Sequence, residues 1–221
     1  MKKVLLSIIL FSFTVAAFSQ SDKYVKAMEA RVAALDTTRS VQGLTDLTNA
    51  FERIATAEKT QWLPYYYAAL ATVNSGYFMM DPQKMMSGGM ADKLDPVADK
   101  AEALLNAAEA LSKDNSEIYV VRKMIATLRM SADPMKRYMQ YGPQAQQALE
   151  KAKQLNPENP RVYLLEGQDK LYTPEQFGGS KAEAKRLFEE AVKKYDAFKP
   201  ESTIAPNWGR GTTQYFMGQI K

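Results

Sequence analysis

The sequence predicts an all-α fold: a solenoid of antiparallel helix pairs, about nine helices long. Three observations predict it. Beyond residue 20, apolar residues recur at three- and four-residue spacing, and no run keeps the alternation of a strand. Proline- and glycine-rich stretches separate the periodic runs. The same small and large apolar positions also return along the chain. With a shift of 44 residues, Ala101, Leu105, Ala108 and Leu111 fall on Ala145, Leu149, Ala152 and Leu155, and Asn115, Ile118 and Tyr119 fall on Asn159, Val162 and Tyr163. With a shift of 39, Ala145, Leu149 and Ala152 fall on Ala184, Phe188 and Ala191. Periods of roughly 20–50 residues with this content indicate stacked helix pairs.

The first residues are read apart from the fold. Met1-Lys2-Lys3 is a charged start, Val4–Phe13 is almost entirely apolar, and Ala17-Phe18-Ser19 is a small-x-small cleavage site. The apolar run is shorter than the roughly 20 residues a spanning helix needs. Residues 1–19 are expected to be a secretory signal peptide, and residues 20–221 a single domain. The domain is expected to be exported, to the periplasm of a Gram-negative bacterium, with no stable membrane insertion after cleavage. A lipobox cysteine is impossible, since the sequence has no Cys.

Composition excludes several kinds of chemistry. Zero Cys removes disulfides, thiolate metal sites and cysteine nucleophiles. Zero His removes the commonest general base and transition-metal ligand. The formal charge of +4 falls by two once Lys2 and Lys3 are cleaved away. The remaining charges alternate, as in Lys181, Glu183, Lys185, Arg186, Glu189 and Glu190, which reads as a solvated helix face. Nucleic-acid binding calls for a one-sided basic stripe instead. No Gly-x-Ser-x-Gly elbow, Ser-x-x-Lys pair or phosphate-binding loop is present. The protein is therefore expected not to be an enzyme, and to need no cofactor.

Taken in order, helices are expected over 22–35, 41–59, 62–79, 93–112, 115–131, 142–155, 160–172, 180–198 and 208–220. Asn115 and Ser116 can cap the fifth, with Glu117 in its first turn. Asn156-Pro157 ends the sixth, and Pro160 stands where a first helical turn tolerates proline. Gly178-Gly179 interrupts the helical run. Ser180 then offers an N-cap oxygen, with Glu183 completing a capping-box pattern. Alanines at 108, 152 and 191 let a partner helix approach to about 8–10 Å. Leucine or phenylalanine three or four residues away fills the remaining space.

The run Ala148-Leu149-Glu150-Lys151-Ala152-Lys153-Gln154-Leu155-Asn156-Pro157 resembles the second helix and closing proline of the tetratricopeptide-repeat superfamily, and Leu187-Phe188-Glu189-Glu190-Ala191 repeats the theme. The resemblance covers most of residues 22–221 and implies a right-handed, TPR-like solenoid that binds a protein or peptide. It departs from the superfamily in period and in lacking most of the Trp-x-x-Leu-Gly-x-x-Tyr first-helix pattern. The segment Phe177-Gly178-Gly179-Ser180-Lys181 is also similar to the helical T component of periplasmic TRAP transporters. That likeness implies a solute-handling accessory subunit with an enclosed small-molecule pocket, and a transporter component as partner.

Three loops, 81–89, 133–143 and 173–179, are expected between first and second helices, crowding one edge. Their apolar content supplies the loop-edge candidates Tyr141, Tyr172 and Phe177. Tyr66, Tyr119 and Tyr163 are the candidates for a concave groove. Consecutive Tyr65-Tyr66-Tyr67 cannot share one helix face, so one is expected to face that groove. Trp208 is expected to open a capping helix, and Arg122, Arg161 and Arg210 to make surface ion pairs. Five methionines over Met79–Met90 could offer thioethers to Cu(I); packing of the loop onto helix ends is the simpler reading. The leading expectation is a noncatalytic scaffold for a protein partner. A pocket of about 300–1,000 Å³ lined by Tyr and Trp would favour a small-molecule binder instead.

Overall fold

The computed structural model describes residues 22–220; the expected signal peptide lies outside them. Ten α-helices and one 3₁₀ turn follow one another, and no strand occurs among the described residues. Helix α1 spans 22–37. It is followed by α2 (Val41–Ala57), α3 (Trp62–Met79), the short α4 (Pro82–Met86), α5 (Ala91–Leu111) and α6 (Ser116–Ser131). Then come α7 (Pro134–Leu155), α8 (Pro160–Tyr172), the 3₁₀ turn Glu175–Phe177, α9 (Lys181–Ala197) and α10 (Arg210–Gln219). None of these helices is long and apolar enough to cross a membrane.

The long helices pack on their chain neighbours: α2 on α3, α3 on α5, α5 on α6, α6 on α7, α8 on α9 and α9 on α10. Helix α3 is apolar on every side and buried along most of its middle, from Tyr66 to Gly76, because α2, α5 and α6 all pack on it. Small residues set the close approaches. A Cβ at Gly76 would stand 2.6 Å from Leu128, and one at Gly167 would stand 2.6 Å from the Phe188 ring. Ala101, Ala108, Ala152, Ala184 and Ala191, read as spacers from the repeat, are all fully buried.

The repeat is visible in the caps. Asn115 accepts the amide of Glu117 (2.9 Å), and its counterpart Asn159 accepts the amide of Arg161 (3.0 Å). Ser180 accepts the amide of Glu183 (3.2 Å), as the capping pattern requires.

The loops differ from expectation. Residues 82–86 form a short helix, with Asp81 capping its first amides. Residues 134–143 are not a loop but the first turns of α7, which runs through Gly142 and Pro143. Pro134 sits in the first turn after the Asp133 cap, where its missing N–H costs nothing. Residues 87–89 remain a turn, and 173–179 remains a loop around the 3₁₀ turn, with Gly178 at φ +92°. Met79, Met80 and Met85 pack against the core and Met90 is buried, so packing accounts for these four methionines.

Candidate functional site

The largest departure from the sequence reading lies under the surface. Arg161 is not a surface residue: it is fully buried. Its Nε donates to Glu117 Oε2 (2.7 Å) and its Nη2 to Glu117 Oε1 (2.6 Å). The same guanidinium donates to the carbonyls of Trp208 (3.2 Å) and Pro206 (3.1 Å), and stacks near the rings of Phe198 and Trp208. Burial works against its charge, but the Glu117 carboxylate more than offsets that and holds its pKa above the usual guanidinium value. Glu117 also accepts from Asn159 Nδ2 (2.8 Å) and from the Tyr66 hydroxyl (3.2 Å). The Tyr66 hydroxyl in turn accepts the Trp208 indole N–H (2.8 Å). Burial, and then the charge of Glu117, push the Tyr66 phenol well above its ordinary value.

This network fixes the segment leading into α10. Tyr67 donates to the Ile204 carbonyl (2.9 Å) and Tyr195 to the Trp208 carbonyl (3.0 Å). Gly209 then turns at φ +107°, a conformation that side-chain-bearing residues avoid. Helix α10 therefore begins at Arg210, and Trp208 lies before it, packed against the core.

Above the network is a groove of about 680 Å³. Its floor comes from Leu44 of α2, Leu70 of α3, Met124 of α6, and Leu164 and Leu165 of α8, all buried. Its walls carry Tyr77 and Phe78 of α3, Trp208, and Tyr215 of α10. Phe78 is 48% exposed and Tyr215 62%, a large apolar area to leave in water. Asp36 and Arg39 are the only charged residues lining it. Arg39 donates to the Thr38 carbonyl (2.9 Å) and has no carboxylate partner among the described residues. Tyr77 donates to the Met124 carbonyl (2.8 Å), and burial raises its phenol well above the ordinary range. A second cleft, also of about 680 Å³, lies between α7 and α8.

The six residues singled out from sequence are dispersed. Tyr66 is buried in the network and faces no groove. Tyr67 is buried too, stacked on Phe51, so neither of these two tyrosines is a groove side chain. Tyr119 is half-buried and lines a smaller cleft beside Arg122. Tyr163 is half-buried; it donates to the Pro157 carbonyl (2.9 Å) and lies beneath Lys153 and Lys194. Tyr141 is half-buried on α7 and lines neither large groove. Tyr172 is exposed, with its ring edge against Phe216. Phe177 is exposed and alone among the six lines a large cleft. Phe78, Tyr215 and Arg39 were missed. Helix α3 is apolar all round, so its sequence offers no face by which Phe78 could be told from the buried rings before it.

Fold and site together define the class: an all-helical protein whose surface carries a large groove with an apolar floor and aromatic walls. No family model matches the sequence, and no curated protein matches it. Among solved structures, the HusA haemophore from Porphyromonas gingivalis is 33% identical, with 90% of this chain and 92% of that chain covered and a TM-score of 0.76. The chain belongs to the family of that protein.

Proposed function

We propose that this protein is an exported, noncatalytic haem-binding protein, and that the groove walled by Phe78, Trp208 and Tyr215 is its porphyrin site. One observation carries the reading: an apolar slot with exposed aromatic rings and, at its rim, Arg39 near Asp36, in a relative of a haemophore. A porphyrin is a flat apolar body with two carboxylates. The leucine floor and aromatic walls suit the body, and Arg39 suits a carboxylate. The volume lies within the range of small-molecule sites, about 300–1,000 Å³. The stacking of helices, with α3, α6, α8 and α10 presenting one common face, supports a TPR-like solenoid whose concave surface is this groove.

Histidine and cysteine, both common axial ligands of haem, are absent from the sequence. Tyr77 keeps its proton and gives it to a backbone carbonyl. Recognition is therefore assigned to the macrocycle faces and carboxylates, and an iron-free porphyrin should bind as haemin does. The groove's size and its Tyr and Trp lining support a small-molecule ligand over a protein-partner scaffold.

Haemin titration followed by the Soret band and by the emission of Trp208 in a Trp62→Phe background tests it. Quenching with a Soret shift is expected, and Phe78→Ala/Tyr215→Ala should weaken binding by at least about tenfold, or about 1.4 kcal/mol. Undiminished binding by that double variant would move the site elsewhere, and no binding at all would end the haem reading.

A further inference from the structure

The first turns of α7 carry apolar side chains that the core does not use. Met135, Tyr138 and Met139 stand at i, i+3 and i+4, on one face of the helix. Both methionines are 82% exposed, and Tyr138 is 56% exposed. Methionine forms helix no better than glutamine or lysine, so the helix itself has no need of a thioether at either position.

The other methionines are covered. Met28, Met90 and Met124 are buried, at 0%, 1% and 5% exposure. Met79, Met80, Met85, Met130 and Met217 are partly buried. Among the methionines whose side chains are described, only Met135 and Met139 are exposed. The sequence has no Cys, so the thioethers are its only sulfur.

Exposure decides the chemistry, because an oxidant must reach the sulfur. In the reaction with hydrogen peroxide, the sulfur lone pair attacks one peroxide oxygen. An S–O bond forms and the O–O bond breaks. Sulfur gives up two electrons, and the departing hydroxide takes the proton of the transferred oxygen and leaves as water. The product, methionine sulfoxide, is polar. In the core that change is disruptive, and Met124 lies in the floor of the groove. At Met135 and Met139 the new oxygen enters water, and no buried contact is lost. Met139 borders the cleft between α7 and α8, and neither residue lines the groove.

We propose that Met135 and Met139 are a modification site, a pair of thioethers that consumes hydroperoxides by conversion to sulfoxide and so spares Met124 and the core. The pair stands whether or not the groove holds a porphyrin.

Hydrogen peroxide is the probe, added to the purified protein without ligand, with sulfoxide read at each methionine by mass spectrometry. Trypsin leaves Met130 and Met135 in one peptide, and fragment ions separate them. Met135 and Met139 should be oxidised at least about tenfold faster than Met28, Met90 and Met124, the factor that a local-opening cost of about 1.4 kcal/mol imposes. Met135→Leu/Met139→Leu removes both sulfurs and keeps residues that favour helix. That variant should consume peroxide several times more slowly and, at a limiting dose, carry more sulfoxide at Met124 than wild type. Wild type oxidised at the pair should keep its helix content by circular dichroism and its haemin affinity.

Equal rates at Met124 and at the pair would overturn the site. So would unchanged peroxide consumption by the variant. Loss of helix content or of haemin affinity in protein oxidised only at the pair would make the two residues a point of damage, and would overturn their sparing role. Untreated protein that binds no haemin would overturn the haem reading alone, since the oxidation rates and the circular dichroism do not involve it.

Discussion

Glu117 and Arg161 occupy the same position in two copies of the repeat, 44 residues apart, and face each other as a buried, two-pronged ion pair. Each is the second residue after a capping asparagine, on α6 and α8. The pair thus joins neighbouring repeats at the point where their first-type helices begin. It also holds Trp208, and so the wall of the groove, through the carbonyls that Arg161 binds and through Tyr66.

Removing one partner should therefore be severe. Glu117→Gln leaves a guanidinium with no solvent exposure and no opposing charge. Breaking a buried pair in this way costs about 3–5 kcal/mol. Urea denaturation is the measurement, and the midpoint should fall without a change in slope. Replacing both residues with leucine should cost less than Arg161→Leu alone, because no uncompensated charge then remains.

The fold was legible where local chemistry and periodicity agreed. Local chemistry predicted the Asn115 cap, the repeat predicted the buried alanines, and Ser180 with Glu183 predicted the start of α9; the 44-residue shift carries the Asn115 cap onto Asn159. Reading stopped where two rules conflicted. Gly142-Pro143 signals a break, yet Asp133 caps the helix nine residues earlier and α7 runs through. Burial of Arg161 was invisible because its partner lies one repeat away, and a lone Arg beside a proline looks like surface. The groove was illegible for a related reason: its lining comes from six helices and the segment before α10, and no single stretch shows them together.

Arg39 is assigned to a porphyrin carboxylate. Arg39→Gln should weaken haemin binding by about tenfold, the equivalent of about 1.4 kcal/mol. The effect should disappear for a porphyrin dimethyl ester, which has no carboxylate to lose. Equal weakening of acid and ester would instead mean that the arginine stem, not its charge, lines the site. Raising salt from low to physiological concentration should reduce the difference between wild type and variant, because Arg39 is exposed.

Acid should loosen the contact between α5 and α7. Arg137 donates twice to Asp95, at 2.6 and 2.9 Å. That hydrogen bonding holds the Asp95 carboxyl below its usual value, against a small opposing effect of burial. A depressed carboxylate binds fewer protons folded than unfolded. Its contribution is therefore full above the unfolded value of about 3.9 and is lost as pH falls through the folded value. Asp95 is partly exposed, so the contribution is about 1 kcal/mol or less. Asp95→Asn should lower stability at neutral pH by that amount and converge with wild type in strong acid. A constant difference between the two proteins across that range would refute the assignment.

Gly209 ties the network to the groove. Its φ of +107° favours glycine, and an added Cβ would collide with the Tyr195 hydroxyl and press on Leu164. Tyr195 donates to the Trp208 carbonyl, and Leu164 belongs to the groove floor. Gly209→Ala should thus disturb both the polar network and the ligand wall. Forcing a side chain into this backbone region costs about 1–3 kcal/mol, and the collision adds to that. The control is Gly218→Ala, where nothing lies within 4 Å of the added Cβ and which does not line the groove. Gly218 sits inside α10, so alanine there should leave stability equal or raise it by up to about 1 kcal/mol. Thermal unfolding and haemin titration of the two variants should diverge together: Gly209→Ala less stable and weaker in binding, Gly218→Ala no less stable and unchanged in binding. Loss of stability at Gly209 with unchanged haemin affinity would separate the network from the groove, and would remove Trp208 from the list of ligand-contacting residues.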